Sequence, residues 1–485
     1  MGYSDVLHPM IVNVTRAATF SIENHLRRMC IVSQGETNLT VGQFKEVTST
    51  SYTEIVKPGN PEVEKQLRTF FSYAGNKSVV VVEVGGGSLE ASVNILKGFL
   101  ESEELRVFNI LVPSDWYNVK KPDVLHTIVL NQTLKPTEEA QKLNLELYNV
   151  NTSDLKLKQE SDKVEVNFTD MTFKLRRDQT LDTKIETTLI ATIGGVEKEA
   201  GKLVFNRNDD LEIASATAIN FTDTIPGEVE LHFVNLLTEY DTIDRENLFF
   251  MELPKTEDPQ VSVNFLRFKG LKSIQLVSNN TDKNTVDSAA AVMGITASTI
   301  FDISKSNPAS SLNYKVVKSY QPLKRSKNYK NSLIQNAVTL IDTLAGQNVV
   351  LNGRQLDGQP WEYYYYWYLT KLEVHSKITT LLLNGANNPT SAVNFDQNGI
   401  DTIHANIVSK LTELQSMGVI SNFSQSYDQG TGQFGGINDI ICPNYYEFIV
   451  DHPEDYKNEI LSGLSCYIQI GKFIRQVQWN VTLGV

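Results

Sequence analysis

Four consecutive residues, Gly85-Gly86-Gly87-Ser88, carry the most enzyme-like chemistry of this chain. They follow an unbroken β-branched run, Ser78 to Val84, and precede apolar residues at helical spacing; a glycine loop at a helix N-terminus can cradle a phosphate. The loop lacks the last glycine of GxGxxG and the Lys-Ser/Thr of a P-loop. A tight strand-to-helix turn explains it equally, and a nucleotide-binding α/β enzyme using Gly85 to Ser88 is the alternative kept open here. The 7 histidines show no HExxH or HxH spacing, so no metal site is expected. His404 follows Ile403 on an amphipathic stretch, a position expected to face solvent, and Glu454 and Asp455 near His452 read as a charged turn. Cys30, Cys442 and Cys466 lie far apart, none with a basic residue directly beside it, and no GxSxG occurs, so nucleophilic catalysis has no foothold. No catalytic residue and no cofactor are expected.

Two further groups could bind rather than react. Lys318, Lys324, Arg325, Lys327 and Lys330 form a basic stretch in an acidic protein, read either as a solvated loop or as an electrostatic contact with an acidic partner subunit. The aromatic run Tyr363 to Tyr368 could stack bases or sugars; the start of a helix packed in the core is the competing and favoured reading.

The elements that would position these groups are α/β. A helix is expected from Pro61, with Val63, Leu67, Phe70 and Phe71 on one face and Gly75 as its stop. The Val79 to Val84 strand, a helix capped by Ser88 with Leu89, Val93, Leu96 and Leu100, and the strand Val107 to Val112 follow. This rhythm predicts parallel strands covered on both faces. Between about Asn131 and Leu236 the text changes to alternating strands beginning at Leu143, Val164, Thr187, Lys202 and Glu228, with turn residues such as Gly194-Gly195 and Asn208-Asp209-Asp210 between them. An inserted β-sandwich-like domain is expected there, interrupting the α/β domain. The α/β pattern resumes with Leu248 to Leu253 and Ile274 to Ser278. A long helix follows through Ile400, Ile403, Ile407, Leu411, Leu414 and Met417, with Gly418 at its C-terminal end.

Composition narrows the class. The chain has 485 residues, room for two to four domains, and 44 basic against 57 acidic residues give a formal charge of −13. That balance argues against coating nucleic acid. Hydrophobic residues at 41% and charged residues at 21% are those of a globular protein. No run of about 18 apolar residues and no basic-then-apolar leader is present, so neither membrane insertion nor secretion is expected, and the spread of the cysteines fits a reducing site of synthesis.

The two ends carry the sharpest signal. Met10, Val12 and Val14 alternate with Ile11, Asn13 and Thr15 near the N-terminus, ahead of anything they could pair with locally. At the other end Cys466 to Ile470 reads as a strand, Gly471-Lys472 as a two-residue turn, and Phe473 onward as its hairpin partner. Val477, Trp479, Val481 and Leu483 then make one apolar face longer than that partner can cover, and the excess needs another sheet. Such a chain donates strands to its neighbours.

In the order of these parts the chain resembles the contractile-tail sheath proteins of myovirus-type bacteriophages and related contractile injection systems. The resemblance rests on the N-terminal strand, the Val79 to Val84 strand with its helix, FNILVPSDWYN at Phe108 to Asn118, and the β insertion. It continues through LFFMEL, IQLVS, the helix GIDTIHANIVSKLTELQSMGVI at Gly399 to Ile420, and the ending FIRQVQWNVTLGV. It implies an α/β (α+β) core with an inserted all-β domain and terminal strand-donating arms, divided as arm 1–18, core 19–130, insertion 131–236, core 237–440, and C-terminal hairpin and arm 441–485. It further implies a non-enzymatic virion protein made in the host cytoplasm. Such subunits form hexameric rings stacked helically around a tail tube protein, between baseplate and tail terminator proteins, with no direct contact to nucleic acid. Met10, Val12, Val14, Val477, Trp479, Val481 and Leu483 would then be inter-subunit arm residues, and Lys324, Arg325, Lys327 and Lys330 the candidate electrostatic contact. Another virion tail or baseplate structural protein would share the strand-donating ends.

Overall fold

The computed structural model describes residues 8–11, 26, 28–59, 61–102, 105–118, 124–177, 179, 184–206, 216–225, 229–243, 245–255, 257–299, 311–387 and 392–472. The chain divides into two compact units, Met1–Asn118 with Leu231–Val485, and Val119–Glu230.

The first unit begins with strands β1 (His8–Ile11), β2 (Met29–Ser33) and β3 (Phe44–Val47), helix α1 (Glu62–Ala74), strand β4 (Val79–Glu83), helix α2 (Leu89–Glu101) and strand β5 (Asn109–Leu111). The second unit holds β6 (Val124–Gln132), β7 (Gln141–Lys142), β8 (Glu146–Tyr148), β9 (Leu155–Leu157), β10 (Val164–Asn167), β11 (Thr172–Leu175), β12 (Ile185–Ile193), β13 (Val196–Phe205) and β14 (Thr217–Ile225). The first unit resumes with α3 (His232–Thr242), β15 (Leu248–Leu253), α4 (Val263–Leu266), β16 (Ile274–Ser278), α5 (Ser288–Thr299), α6 (Lys327–Gln335), β17 (Leu340–Leu344) and β18 (Gln347–Leu351). Then come α7 (Trp361–Asn387), α8 (Gln397–Ser416), β19 (Ile420–Ser424), β20 (Tyr427–Asp428), β21 (Gln433–Phe434), α9 (Tyr445–Asp451), α10 (Pro453–Lys457) and β22 (Ser465–Ile470).

The first unit is organised by a six-stranded sheet of order β16-β15-β5-β2-β4-β3. Five strands run parallel and β3 closes the edge antiparallel to β4. The β-branched and aromatic runs read from sequence are these strands, and every residue of β2, β4, β5, β15 and β16 is buried, as a sheet covered on both faces requires. Helix α2 starts at Ser88, whose side chain accepts from Ala91 N–H at 3.3 Å and satisfies one of the free donors of the first turn. The aromatic run belongs to α7 and is buried. Phe108 lies 6.3 Å from the ring of Trp361, 5.8 Å from Tyr365 and 6.0 Å from Tyr368, so these rings are core and offer no stacking platform. Burying each such side chain contributes roughly 1.5–3 kcal/mol before ordering costs. Helix α8 turns Ile400, Ile403, Ile407, Leu411 and Leu414 inward, is capped by Asp396 on Gly399 N–H at 2.8 Å, and ends at Gly418 with φ +77°.

The second unit is built of three three-stranded sheets, β10-β11-β7, β13-β12-β9 and β14-β6-β8, around Leu130, Phe173, Leu189, Leu203, Phe205 and Ile219. Its tightest hairpin joins β12 to β13 through Gly194 (φ +58°) and Gly195 (φ +78°), both in the left-handed region that a two-residue turn of this hand needs. Outward-facing lysines of β9 pair with glutamates of β13, Lys156 with Glu197 at 2.5 Å and Lys158 with Glu199, contacts that add little stability but keep the face wet.

Two sequence expectations change. The stretch from Glu228 is not a strand: Phe233, Leu236, Leu237 and Tyr240 recur at helical spacing and bury one face of α3, whereas the apparent alternation runs only from Val229 to Phe233. The second compact unit spans Val119–Glu230, whereas the sequence placed an insertion at 131–236, and at its start β6 pairs with β14 over nine positions from Val124. The expected hairpin partner of β22 begins at Phe473, beyond the described residues, and among these β1 lies on one edge of β22 and β19 on the other. Asn208-Asp209-Asp210 and residues 473–485 lie outside the described residues.

Candidate functional site

The glycine loop leaves β4 through Glu83, a carboxylate only 2% exposed. Its Oε1 accepts from the N–H groups of Gly35 at 2.6 Å and Gly85 at 2.7 Å. Its Oε2 accepts from Ser33 Oγ at 2.9 Å, Thr37 Oγ1 at 2.7 Å and Thr37 N–H at 3.1 Å. Burial would raise its pKa, but these donors outweigh burial and hold the carboxyl below the ordinary glutamate range. Gly85, at φ +79°, thus turns its amide toward a carboxylate of the protein itself. The N–H at the start of the loop, the donor a phosphate would need, already has an anion.

Beside this loop, where the C-terminal ends of β2 and β5 open, lies a cavity of about 270 Å³ lined by Gln34, Glu36, Glu62, Gln66, Gly86 and Asp115 among others. In open α/β sheets this is where ligands sit. Glu36 accepts from the N–H groups of Glu62 (3.1 Å) and Val63 (2.7 Å), capping α1, and Glu62 accepts from Ser114 Oγ at 2.7 Å. Burial, with the charges of Glu62 and Glu36, pushes the Asp115 carboxyl upward. Among the described residues three carboxylates line the space and no lysine or arginine does, an arrangement that repels a nucleotide phosphate.

Other sequence candidates are placed as follows. His404 is not simply solvated: its Nε2 lies 2.6 Å from Asp439 Oδ1, joining α8 to the loop before α9. His452 Nδ1 lies 3.8 Å from Asp455 Oδ2 within one helical turn. Burial pushes the thiols of Cys442 up to about 11 and Cys466 up to about 12, and Cys30 higher still, away from reactive thiolate. Among the described residues no group of three or more His, Cys, Asp or Glu could hold a metal ion, and no helix is long and apolar enough to cross a membrane.

The basic stretch is divided. Arg325 donates to the Lys255 carbonyl at 3.3 Å and stacks over Tyr329, and Lys330 pairs with Asp342. Lys324 and Lys327 are exposed on the approach to α6 and its first turn.

The terminal elements meet in one sheet, β1-β22-β19. β1 runs antiparallel to β22, with Met10 opposite Cys466 and Ile11 opposite Ser465. β19 pairs on the other side, Phe423 opposite Ile468. Cys466, Ile468 and Ile470 are buried and alternate with half-exposed residues. Met10 is therefore anchored on its own chain, in the described conformation, whereas Val12, Val14, Val477, Trp479, Val481 and Leu483 lie outside the described residues. The long-range pairing of β1, the Glu83 cluster and the helical reading of α3 were not anticipated from sequence. A glutamate ending an all-apolar strand was the one available signal for the second of these.

No family model and no curated protein sequence matches the chain. Among solved structures it is similar to a sheath tail protein of Desulfitobacterium hafniense, with 9% identity and TM-score 0.35, over 87% of this chain and 92% of that one. It is similar to a sheath tail protein of Listeria innocua, with 11% identity and TM-score 0.35, over 83% and 86%. It is also similar to the helical sheath of the anti-feeding prophage in its contracted state, with 9% identity and TM-score 0.47, over 98% of each chain.

Proposed function

We propose that this chain is the structural subunit of a contractile tail sheath, whose copies stack as rings around a tail tube and contract to drive the tube through a cell envelope. The order of sequence parts supports this reading, and the terminal sheet is the observation that carries it. β22 has neighbours on both edges within its own chain, and a few residues after it comes an amphipathic segment, Gln476 to Leu483. In this reading that segment takes a sheet edge of another copy. Among the described residues the sheet ends at β1 and at β19, and each end is a template for an added strand from another copy.

In this arrangement β1 anchors the N-terminal arm at Met10, Val12 and Val14 continue it, and Val477, Trp479, Val481 and Leu483 form the apolar face of the C-terminal arm. Each large side chain buried on joining contributes roughly 1.5–3 kcal/mol, and each net backbone hydrogen bond about 0.5–1.5 kcal/mol. Rigid units can then slide past one another while the arms keep neighbours joined, and no active site is needed. Lys324 and Lys327 are offered to an acidic face of another subunit. The tube, baseplate and terminator proteins are the remaining partners of this reading.

Electron microscopy of the purified protein should show tubes or rings. Deleting 476–485 should leave the melting transition in place and abolish them. A truncated protein that still polymerises normally, or that unfolds outright, places the strand in its own subunit and removes the basis of the proposal.

A further inference from the structure

Away from the terminal sheet, three ionisable side chains meet in the interior between α1, the C-terminal end of β15 and the start of α5. Lys65 Nζ lies 3.8 Å from Glu252 Oε2 and 3.9 Å from Asp287 Oδ2, with side chains 22%, 5% and 0% exposed. Every element packed around them contributes. From α1 come Glu62, Gln66 beside Asp287, Thr69, whose Oγ1 accepts from Asp287 N–H at 3.2 Å, and Tyr73. After β16, Asn279 Nδ2 donates to Glu252 Oε2 at 3.1 Å. At α5, Ser288 N–H donates to Glu252 Oε1 at 2.7 Å and Ala290 N–H to Asp287 Oδ1 at 2.7 Å. Tyr320 Oη lies 2.8 Å from Ser288 Oγ. Asp287 Oδ2 has no hydrogen-bond partner.

We infer that Lys65, Glu252 and Asp287 form an alkali-sensitive clamp, which holds one proton between its two carboxyl groups at neutral pH and loosens α1 from α5 and β15 when that proton leaves. The inference starts from the charge count. Fully ionised, the cluster has two anions and one cation, Glu62 adds a further negative charge, and among the described residues Lys65 is the cation that acts on both carboxylates. A net charge left in this interior costs several kcal/mol, and a carboxyl group that keeps its proton removes it. Asp287 is the better anion, because its Oδ1 caps α5, where the helix dipole favours negative charge. Glu252 then carries the proton. In agreement, burial first and the Asp287 charge second push the Glu252 carboxyl up to about 8, and burial raises Asp287 as well. Burial disfavours the Lys65 ammonium, but the charges of Asp287, Glu252 and Glu62 outweigh it and hold the ammonium protonated. The step is a plain dissociation: the Glu252 O–H bond breaks, its electron pair stays on the carboxylate, and the proton goes to solvent.

The sign follows. Glu252 has a higher pKa folded than unfolded, so its protonated form favours the folded state, and that stability is lost as pH rises through about 8. The protection of α1 and α5 amides from hydrogen exchange, corrected for intrinsic rates, should fall roughly tenfold between pH 7 and 9.5 in the wild type. It should stay level in Glu252→Gln, which keeps an oxygen for Ser288 N–H. Infrared titration of the wild type gives a second reading, independent of how any variant folds. A protonated-carboxyl band should be present at pH 7, when surface carboxylates are ionised, and vanish as pH rises past about 8. Absence of that band at pH 7, or the same alkaline loss of protection in wild type and Glu252→Gln, would overturn the clamp. Neither outcome bears on tube formation.

Discussion

Replacing Glu83 by alanine is the sharpest test of what the glycine loop does. The substitution removes the common acceptor of five hydrogen bonds, from Ser33 Oγ, Gly35 N–H, both donors of Thr37 and Gly85 N–H. Hydrogen bonds to a charged group are worth about 1.5–3 kcal/mol each in isolation. They share one carboxylate, so they do not add, and the desolvation of that carboxylate is recovered when it is deleted. A net loss of about 3–5 kcal/mol is expected, the size seen when a buried polar cluster loses its centre. Glu83→Gln should lose roughly half of that, because an amide nitrogen cannot accept from Thr37 N–H. The wild type should also lose stability in acid. The Glu83 carboxyl sits below its ordinary range when folded, so its contribution is present above the unfolded value and disappears as pH falls through the folded one. Urea unfolding at pH 7 and at pH 3 measures both effects. A loss below about 1 kcal/mol for Glu83→Ala at pH 7, or equal acid sensitivity in wild type and Glu83→Gln, would mean that the carboxylate does not organise the loop.

Two further outcomes are expected. A Cβ on Gly294 of α5 would lie 2.7 Å from the Phe70 carbonyl oxygen and 3.1 Å from Tyr73 Cβ of α1, so Gly294→Ala must push two packed helices apart. Overpacking of about 1–3 kcal/mol against about 1 kcal/mol of helix propensity regained leaves a net loss of up to about 2 kcal/mol, read as a lower urea midpoint; a higher midpoint contradicts this close approach. Titration calorimetry with ATP, GTP or NAD should give no heat of binding, and a sub-millimolar site lost on Gly85→Val would restore the nucleotide reading.

Local patterns were legible where one face of an element decides its burial. The run Val79 to Val82 could only be a covered strand, and Ile400 to Leu414 could only be a helix with one apolar stripe. Gly85 was legible as a turn, but the role of Glu83 was not, because its donors at Ser33, Gly35 and Thr37 lie on another strand and loop, and a single acidic residue has no period. Glu228 to Leu236 misled because Val229, Leu231 and Phe233 alternate while Phe233, Leu236 and Leu237 already follow the helical step; only continuation to Tyr240 separates the two. The pairing of β1 with β22 was illegible for a different reason. A four-residue strand specifies that it will pair, not with what, and its partner lies at the opposite end of the chain.

That pairing also sets a clock on biosynthesis. The middle strand of the β1-β22-β19 sheet, Ser465 to Ile470, leaves the ribosome long after His8 to Ile11. Until Ser465 to Ile470 emerges, β1 and β19 have no strand between them. Contacts of such long sequence separation close late in folding. A chain interrupted before Ser465 therefore lacks the strand that joins β1 to β19, and the two cannot belong to one sheet without it.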